Sequence, residues 1–346
     1  MSSMWNIIER LIKLWKGDPW LKTGKTIFLV SLASISGIFP ELTISYLNLS
    51  VSLANTVSIV CTFIATIGSL VGLSLIGFRY FQMNSHPPVL YYGQGMKNMD
   101  NNPPVMALPL AERGFVRPEI LGEINSYDKD ILLDKLNYYR HLFEEKTKHR
   151  DAPKIYLVAL GSFPYLFVLG SLLRNAHNTV RILDHSRNSP GGNKWYLLDT
   201  ITDAKITHCV QDNEGQSYLT ALEELVSGDH QELGVALSYT FEISRKDLPE
   251  TLRDSTVILK HSLGYGLDKL SNEALQEQLL SELSVVLNIL GKNANRIHLF
   301  VAAQSSMCIN IGKCYQDNVY GSLELYSYTK DQGYNWSITY NQGAFS

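Results

Sequence analysis

Residues 26 to 78 contain neither Lys nor Arg and a single charged side chain, Glu41. A helix needs about 20 predominantly apolar residues to cross a hydrocarbon layer of about 30 Å, so a stretch of this length holds two crossings. A pair of core helices in a soluble protein would carry a polar face, and a cleaved signal peptide would be short with one apolar segment. The first run, 26–39 (TIFLVSLASISGIF), follows Lys22 and Lys25, which are placed to snorkel back to water, and ends at Pro40 and Glu41. The second, 57–81, ends in Arg79, Tyr80 and Phe81, a charge with two aromatics that suits a membrane interface. Residues 42–54 between them alternate apolar and polar, and read either as an extended turn or as a segment on the outer surface. The expectation is a two-helix transmembrane hairpin over 25–81.

Arg10, Lys13, Lys16, Lys22 and Lys25 precede this hairpin, and Arg79 and Lys97 follow it. By the positive-inside rule both termini are cytoplasmic. In residues 1–24, Trp5, Ile8, Leu11, Ile12 and Trp15 share one helical face with Glu9, Arg10, Lys13 and Lys16 on the rest. That pattern describes an amphipathic helix lying in the headgroup region; the competing reading is a cytoplasmic helix packed on the soluble part. On the second run, Cys61, Ala65, Gly68, Ser69 and Gly72 form a row of small residues of the kind that lets membrane helices pack closely. The hairpin has almost no polar lining, which argues against a transporter.

Outside this stretch, composition excludes more than it suggests. Thirty Lys and Arg against 33 Asp and Glu give a net charge of -3, which is no basis for binding bulk nucleic acid. A small, enclosed nucleotide is not excluded. The four cysteines, at 61, 209, 308 and 314, form no CxxC pair and no metal spacing, so they read as reduced cytoplasmic residues.

Residues 82–150 read as a Pro-punctuated linker with a connecting amphipathic helix from about 126 to 148. From 151 to 346 the pattern is α/β. Ile155 to Leu160 (IYLVAL) is a continuous apolar run of the kind buried on both faces of a sheet, followed by a Gly-Ser turn and an apolar helix. Further strands fall near 180–183, 195–198 and 233–239, and the pattern restarts after the charged stretch 242–254 with strands near 256–259, 296–302, 323–326 and 336–340. Two tandem Rossmann-like halves, about 151–245 and 255–346, are expected, with ligands at the carboxyl ends of the strands.

Those ends carry turn amides and hydroxyls at Gly161, Ser162, Ser238, Ser262, Ser305 and Ser306, aromatics at Phe163, Tyr165, Tyr239 and Tyr265, the cation Lys260, and His261 and Gln304. Aromatic faces stack bases, and turn amides with a Lys bind phosphate, so the set suits a small nucleotide. No GxGxxG, GxxxxGK[ST], HExxH or GxSxG occurs, so no catalytic or metal residue is assigned and no cofactor is expected. Two enzymatic readings stay open: a membrane-anchored phosphodiesterase using Lys260 and His261, and an enzyme acting on a lipid or sugar nucleotide.

The run 298–329 (HLFVAAQSSMCINIGKCYQDNVYGSLELYSYT), with YLVALGS opening the first half and VILKHSLGYG the second, resembles the SAVED domain, a fused pair of CARF-like halves. With a membrane hairpin ahead of it, the layout resembles the transmembrane SAVED effectors of bacterial CBASS antiphage systems. The family often has Pro where this chain has Gln304. The resemblance implies a non-enzymatic sensor of the bacterial inner membrane. Its ligand would be a cyclic di- or trinucleotide, and its partners the lipid bilayer and further copies of itself, assembled on ligand binding to disrupt the membrane.

Overall fold

In the computed structural model the described residues are Arg10, 51–96, 99, 102–147, 154–174, 179–186, 194–198, 211–212, 214–228, 232–316, 319–341 and 343–346. The expected interfacial helix of 1–24, the first apolar run and the connection up to residue 50 lie outside them, apart from Arg10. The chain divides into two compact units: 1–88 with 108–117, and 89–107 with 118–346.

The N-terminal unit is built on helix α1 (Val51–Ser85), which starts inside the alternating segment and takes up the whole second apolar run. Among residues with described side chains, which on α1 begin at Thr66, no helix is long and apolar enough to cross a membrane. One side of α1 presents Ile76 and Met83, packed with Tyr80 against Ala111 and Phe115; the Tyr80 and Phe115 rings meet edge-on at 5.5 Å. Gly72 is buried and lies on that same side. The small-residue row therefore runs on into a face that the chain itself covers. The opposite arc exposes Ile67, Leu70, Val71, Leu75, Phe78 and Phe81, each between 46% and 69% accessible.

In the larger unit the first sheet holds β1 (Val89–Gln94), β2 (Arg117–Glu123), β3 (Ile155–Leu160), β4 (Val180–Ser186) and β5 (Lys194–Leu197), in the order β2-β1-β3-β4-β5. β1, β3 and β4 are parallel, with Val89 beside Ile155 and Ile155 beside Val180. The stretch read as a linker thus supplies two strands. Its prolines bracket VLYYGQ rather than interrupt it, and all six of those residues are buried. Helix α2 (Lys129–Thr147) matches the expected amphipathic helix, with Leu132, Leu136, Tyr139 and Phe143 in the core.

The second sheet holds β6 (Gln211–Asp212), β7 (Glu232–Ser238), β8 (Thr256–Lys260), β9 (Arg296–Ala302), β10 (Ser322–Thr329), β11 (Gly333–Asn341) and β12 (Ala344–Phe345), ordered β12-β11-β10-β9-β7-β8-β6. β7 lies parallel between β8 and β9, so it belongs to the second half and not, as the sequence suggests, to the first. The charged stretch after it is no boundary. Ile243, Leu248 and Leu252 turn inward from it and pack on Ala236, Ile258 and Phe300 of the sheet face; the charges occupy the solvent side. Helices α4 (Tyr218–Ser227) and α5 (Glu273–Asn293) cover the other face, α5 starting at the Asn272 side chain, which accepts from Leu275 N at 3.1 Å.

Helices α3 (Phe163–Leu172) and α6 (Ser305–Cys314) follow β3 and β9 and cross each other. The two strand-turn-helix units correspond at a constant spacing: Ile155 with Ile297, Phe163 with Ser305, Gly170 with Gly312, each pair 142 residues apart. A Cβ at Gly170 would run into the carbonyl of Ile309, and one at Gly312 into the carbonyl of Phe167. Glycine at the eighth position of each helix is what lets the two backbones touch.

Candidate functional site

The turns after β3 and β9, strands of different sheets, bring the N-termini of α3 and α6 to one cavity of about 490 Å³. That is within the ~300–1,000 Å³ of small-molecule sites. Gly161, Ser162 and Phe163 line it from one half, and Ala303 and Ser305 from the other. Neither helix has a side-chain cap on its first turn. The amides of a helix N-terminus have no intrahelical acceptor and sit at the positive end of the helix dipole, so both ends favour an anion here. Around the rim stand three accessible aromatics, Phe241 (55%), Tyr328 (48%) and Tyr127 (40%), with the carboxylates of Glu242 and Asp247. Among the described residues no Lys or Arg lines this cavity.

Each turn is held by polar groups behind the lining. At α3, Ser126 is fully buried: its Oγ accepts from Ser162 N at 2.8 Å and donates to Gly95 O at 2.6 Å, while its carbonyl accepts from Ser162 Oγ at 2.5 Å. At α6 the holder is Asp184, on β4 of the first sheet. Ser306 Oγ donates to it at 2.6 Å, Gln304 Nε2 at 3.1 Å and His185 N at 2.8 Å. The network runs on through Gln276, whose Nε2 donates to Ser306 Oγ at 2.8 Å, and through Gln304 Oε1, which accepts from Leu270 N at 2.5 Å. Burial pushes the Asp184 carboxyl up to about 6, against the opposing pull of its bonds from Ser306 and His185. Removing one carboxylate from water is tolerated here because donors from the other half surround it.

The structure thus brings together Gly161, Ser162, Phe163 and Ser305 on the cavity and turns Gln304 and Ser306 inward to Asp184. Tyr165 is core: its ring lies where a Gly161 Cβ would be, 2.6 Å from Cδ1, and its edge meets Tyr139. Ser238 is buried and ties the turn after β7, donating to Phe241 O at 2.9 Å and accepting from Ile243 N at 2.7 Å. Lys260 ends β8 beside Gln211 of β6 and is not on the cavity. His261 is buried with its ring 5.6 Å from that of Tyr239. Its Nδ1 accepts from Leu263 N at 3.1 Å, and burial lowers its pKa, so it is a neutral fold-holding group. Ser262 and Tyr265 follow in the loop beyond, also off the lining.

Tyr127, Thr240, Phe241, Glu242 and Tyr328 line the cavity without having been singled out in the sequence. Phe241 carried a partial signal, standing three residues past the end of the apolar strand β7; Tyr127 and Tyr328 carried none, Tyr328 being placed by the bulge at Ser327/Tyr328. A second hollow, about 630 Å³, lies at the opposite ends of α3 and α6 and includes Arg174, Lys313 and Glu277. Among the described residues no group of His, Cys, Asp and Glu side chains is arranged to hold a metal ion.

The family model of the SMODS-associated and fused to various effectors sensor domain, SAVED, matches residues 137–339. No curated protein matches the chain. Among solved structures, the chain is similar to the Acinetobacter baumannii Cap4 SAVED/CARF-domain containing receptor with the cyclic trinucleotide 3′3′3′-cAAA (11% identity, TM-score 0.48), covering 88% of this chain and 65% of that one. The same receptor with 2′3′3′-cAAA gives 11% identity and a TM-score of 0.45, over 88% and 65% of the two chains.

Proposed function

The chain belongs to the SAVED family of sensor domains, and on that premise we propose that it senses a cyclic oligonucleotide, bound in the cavity between α3 and α6. The observation that carries this reading is the convergence of two helix N-termini without side-chain caps on one cavity rimmed by accessible aromatics. Phosphates are held by such amides and dipoles, and bases by stacking on aromatic faces. A ring with two phosphate-bearing edges suits a site built from two corresponding units. The phosphodiesterase reading placed its chemistry on Lys260 and His261, which stand off this cavity, so the proposed role is binding without hydrolysis.

The N-terminal unit is proposed to be the effector. The exposed apolar arc of α1 faces lipid in this reading, since soluble monomers rarely leave so large a contiguous apolar patch in water. Ligand-driven association of the sensor bodies would then raise the local concentration of the membrane segments and disrupt the bilayer in antiphage defence.

Calorimetry on the full chain in detergent, with 3′3′3′-cAAA and 3′3′-linked cyclic dinucleotides as probes, tests the site. Ser305→Glu places a carboxylate at the first residue of α6, where it favours the helix and opposes a phosphate. Binding of at least one probe, weakened about tenfold or more by Ser305→Glu at unchanged melting temperature, is expected. Equal affinity in the variant removes the cavity from consideration.

A further inference from the structure

We infer that Ser126 couples occupancy of the cavity to the N-terminal unit, an inference that rests on the cavity being the ligand site. The chain passes between the two units at 88/89, 107/108 and 117/118, and two of these points are the starts of β1 and β2. The two strands set out together, Arg117 N donating to Pro88 O at 2.8 Å. They also arrive together: Ile124 N donates to Gln94 O at 2.9 Å and Ser126 N to Gly95 O at 3.2 Å. β1 and β2 therefore run parallel from the N-terminal unit to the cavity wall, fastened to each other at both ends.

Ser126 stands where that pair meets the cavity. Its hydroxyl holds Gly95, the residue after β1, its backbone follows three residues behind β2, and its hydroxyl and carbonyl both hold Ser162 ahead of α3. The next residue, Tyr127, is on the cavity rim. A ligand that moves the α3 N-terminus or Tyr127 thus acts on both strands through one residue, whose hydroxyl makes two of the bonds. At their far ends, Pro88 and Arg117 belong to the unit in which Ala111 and Phe115 hold α1 at Ile76 and Met83. Asp184, the holder of α6, fastens it to β4 and offers no such route. Coupling of this kind is reciprocal, so a change in the N-terminal unit must alter ligand affinity by the same factor as the ligand alters that unit.

The test uses the full chain in nanodiscs, with 3′3′3′-cAAA and 3′3′-linked cyclic dinucleotides as probes, and the tightest binder carried forward. Ligand is expected to slow hydrogen exchange at 108–117 in the parent chain; in Ser126→Ala this effect disappears while slowing at 161–166 remains. Phe115→Ala should shift Kd about fivefold or more in the parent and less than about twofold in the Ser126→Ala background. Equal effects of Phe115→Ala in both backgrounds overturn the coupling. Without nucleotide, Ser126→Ala should speed exchange across 108–117 as well as at 124–127; acceleration confined to 124–127 and 161–166 overturns it too. If no probe binds, the ligand reading fails, and this last arm still decides the coupling. Should Ser126→Ala not fold, Ser126→Cys, whose thiol is a weak donor and weak acceptor in place of the hydroxyl, takes its place with the same expectations.

Discussion

Helix α3 begins at a turn held by Ser126 and helix α6 at a turn held by Asp184, although the two strand-turn-helix units match at a constant spacing along the chain. α3 is apolar all round and buries nine residues, Phe163 to Ser171, because it lies between α2 and α6. α6 keeps a polar side, where Asn310 donates to Gln276 of α5 at 2.8 Å. The features shared by both units are backbone features: the strand end, the turn and the glycine at the crossing. Those that differ are side chains meeting different neighbours. A cavity flanked by two corresponding units is thereby held by different fastenings on its two sides.

The sharpest way to break the shared part is at the crossing. Gly312→Val should cost about 3 kcal/mol or more, because a side chain there meets backbone that cannot move aside. Gly170→Val should cost the same, since the two positions are equivalent in the crossing. For a body of this size that lowers Tm by about 6 °C or more. A Tm within ~1 °C of the parent in either variant would mean the helices do not touch there.

The fastenings should separate next. Asp184→Ala leaves the Ser306 hydroxyl and the Gln304 amide without their charged acceptor, and should cost ~2–3 kcal/mol in urea denaturation. Ser126→Ala loses neutral hydrogen bonds only, worth about 1 kcal/mol each. A larger cost for Ser126→Ala would reverse the assignment of Asp184 as the stronger fastener.

The Asp184 fastening should also show in pH dependence. Its carboxyl titrates at about 6 in the folded chain, above the ordinary 3.8, so the folded state holds the proton more tightly than the unfolded state. Stability contributed by this group is full below pH ~4 and declines as pH rises to ~6, by up to about 3 kcal/mol. Melting curves of the parent and of Asp184→Asn between pH 4 and 7 isolate this, since other groups titrate equally in both. A parent curve that falls no more steeply than that of Asp184→Asn contradicts the burial argument.

The smallest effect on stability belongs to the rim. Phe241→Ala should change stability by no more than ~0.5 kcal/mol, as an exposed residue, yet weaken nucleotide binding by ~1–3 kcal/mol if a base stacks there. Unchanged affinity by calorimetry would remove Phe241 from the site.

Both corresponding units were legible in the sequence, because a run such as IYLVAL followed by Gly-Ser, or RIHLFVA followed by Ala-Gln-Ser-Ser, can only be a buried strand entering a helix. The order of the sheets was not legible. β1 was hidden among prolines, and β7 was assigned to the first half because Ile243, Leu248 and Leu252, the apolar residues of the crossover after it, are outnumbered by charges. Of the site, the turns were legible from their composition, but the direction of their side chains was not. Gln304 and Ser306 point to Asp184, a partner 120 and 122 residues away, and nothing local announces it. Tyr165 looked like a stacking platform and is core, as an aromatic within a wholly apolar helix generally is.

An experimental structure of the full chain with its tightest-binding cyclic oligonucleotide reads directly where the ligand lands. The expected result places phosphate oxygens within ~3 Å of the Phe163 and Ser305 amides, with bases against Phe241, Tyr127 or Tyr328. The contradictory result places the nucleotide at the other ends of the same two helices, in the hollow between Arg174 and Lys313, where cations would have to outweigh two helix C-termini.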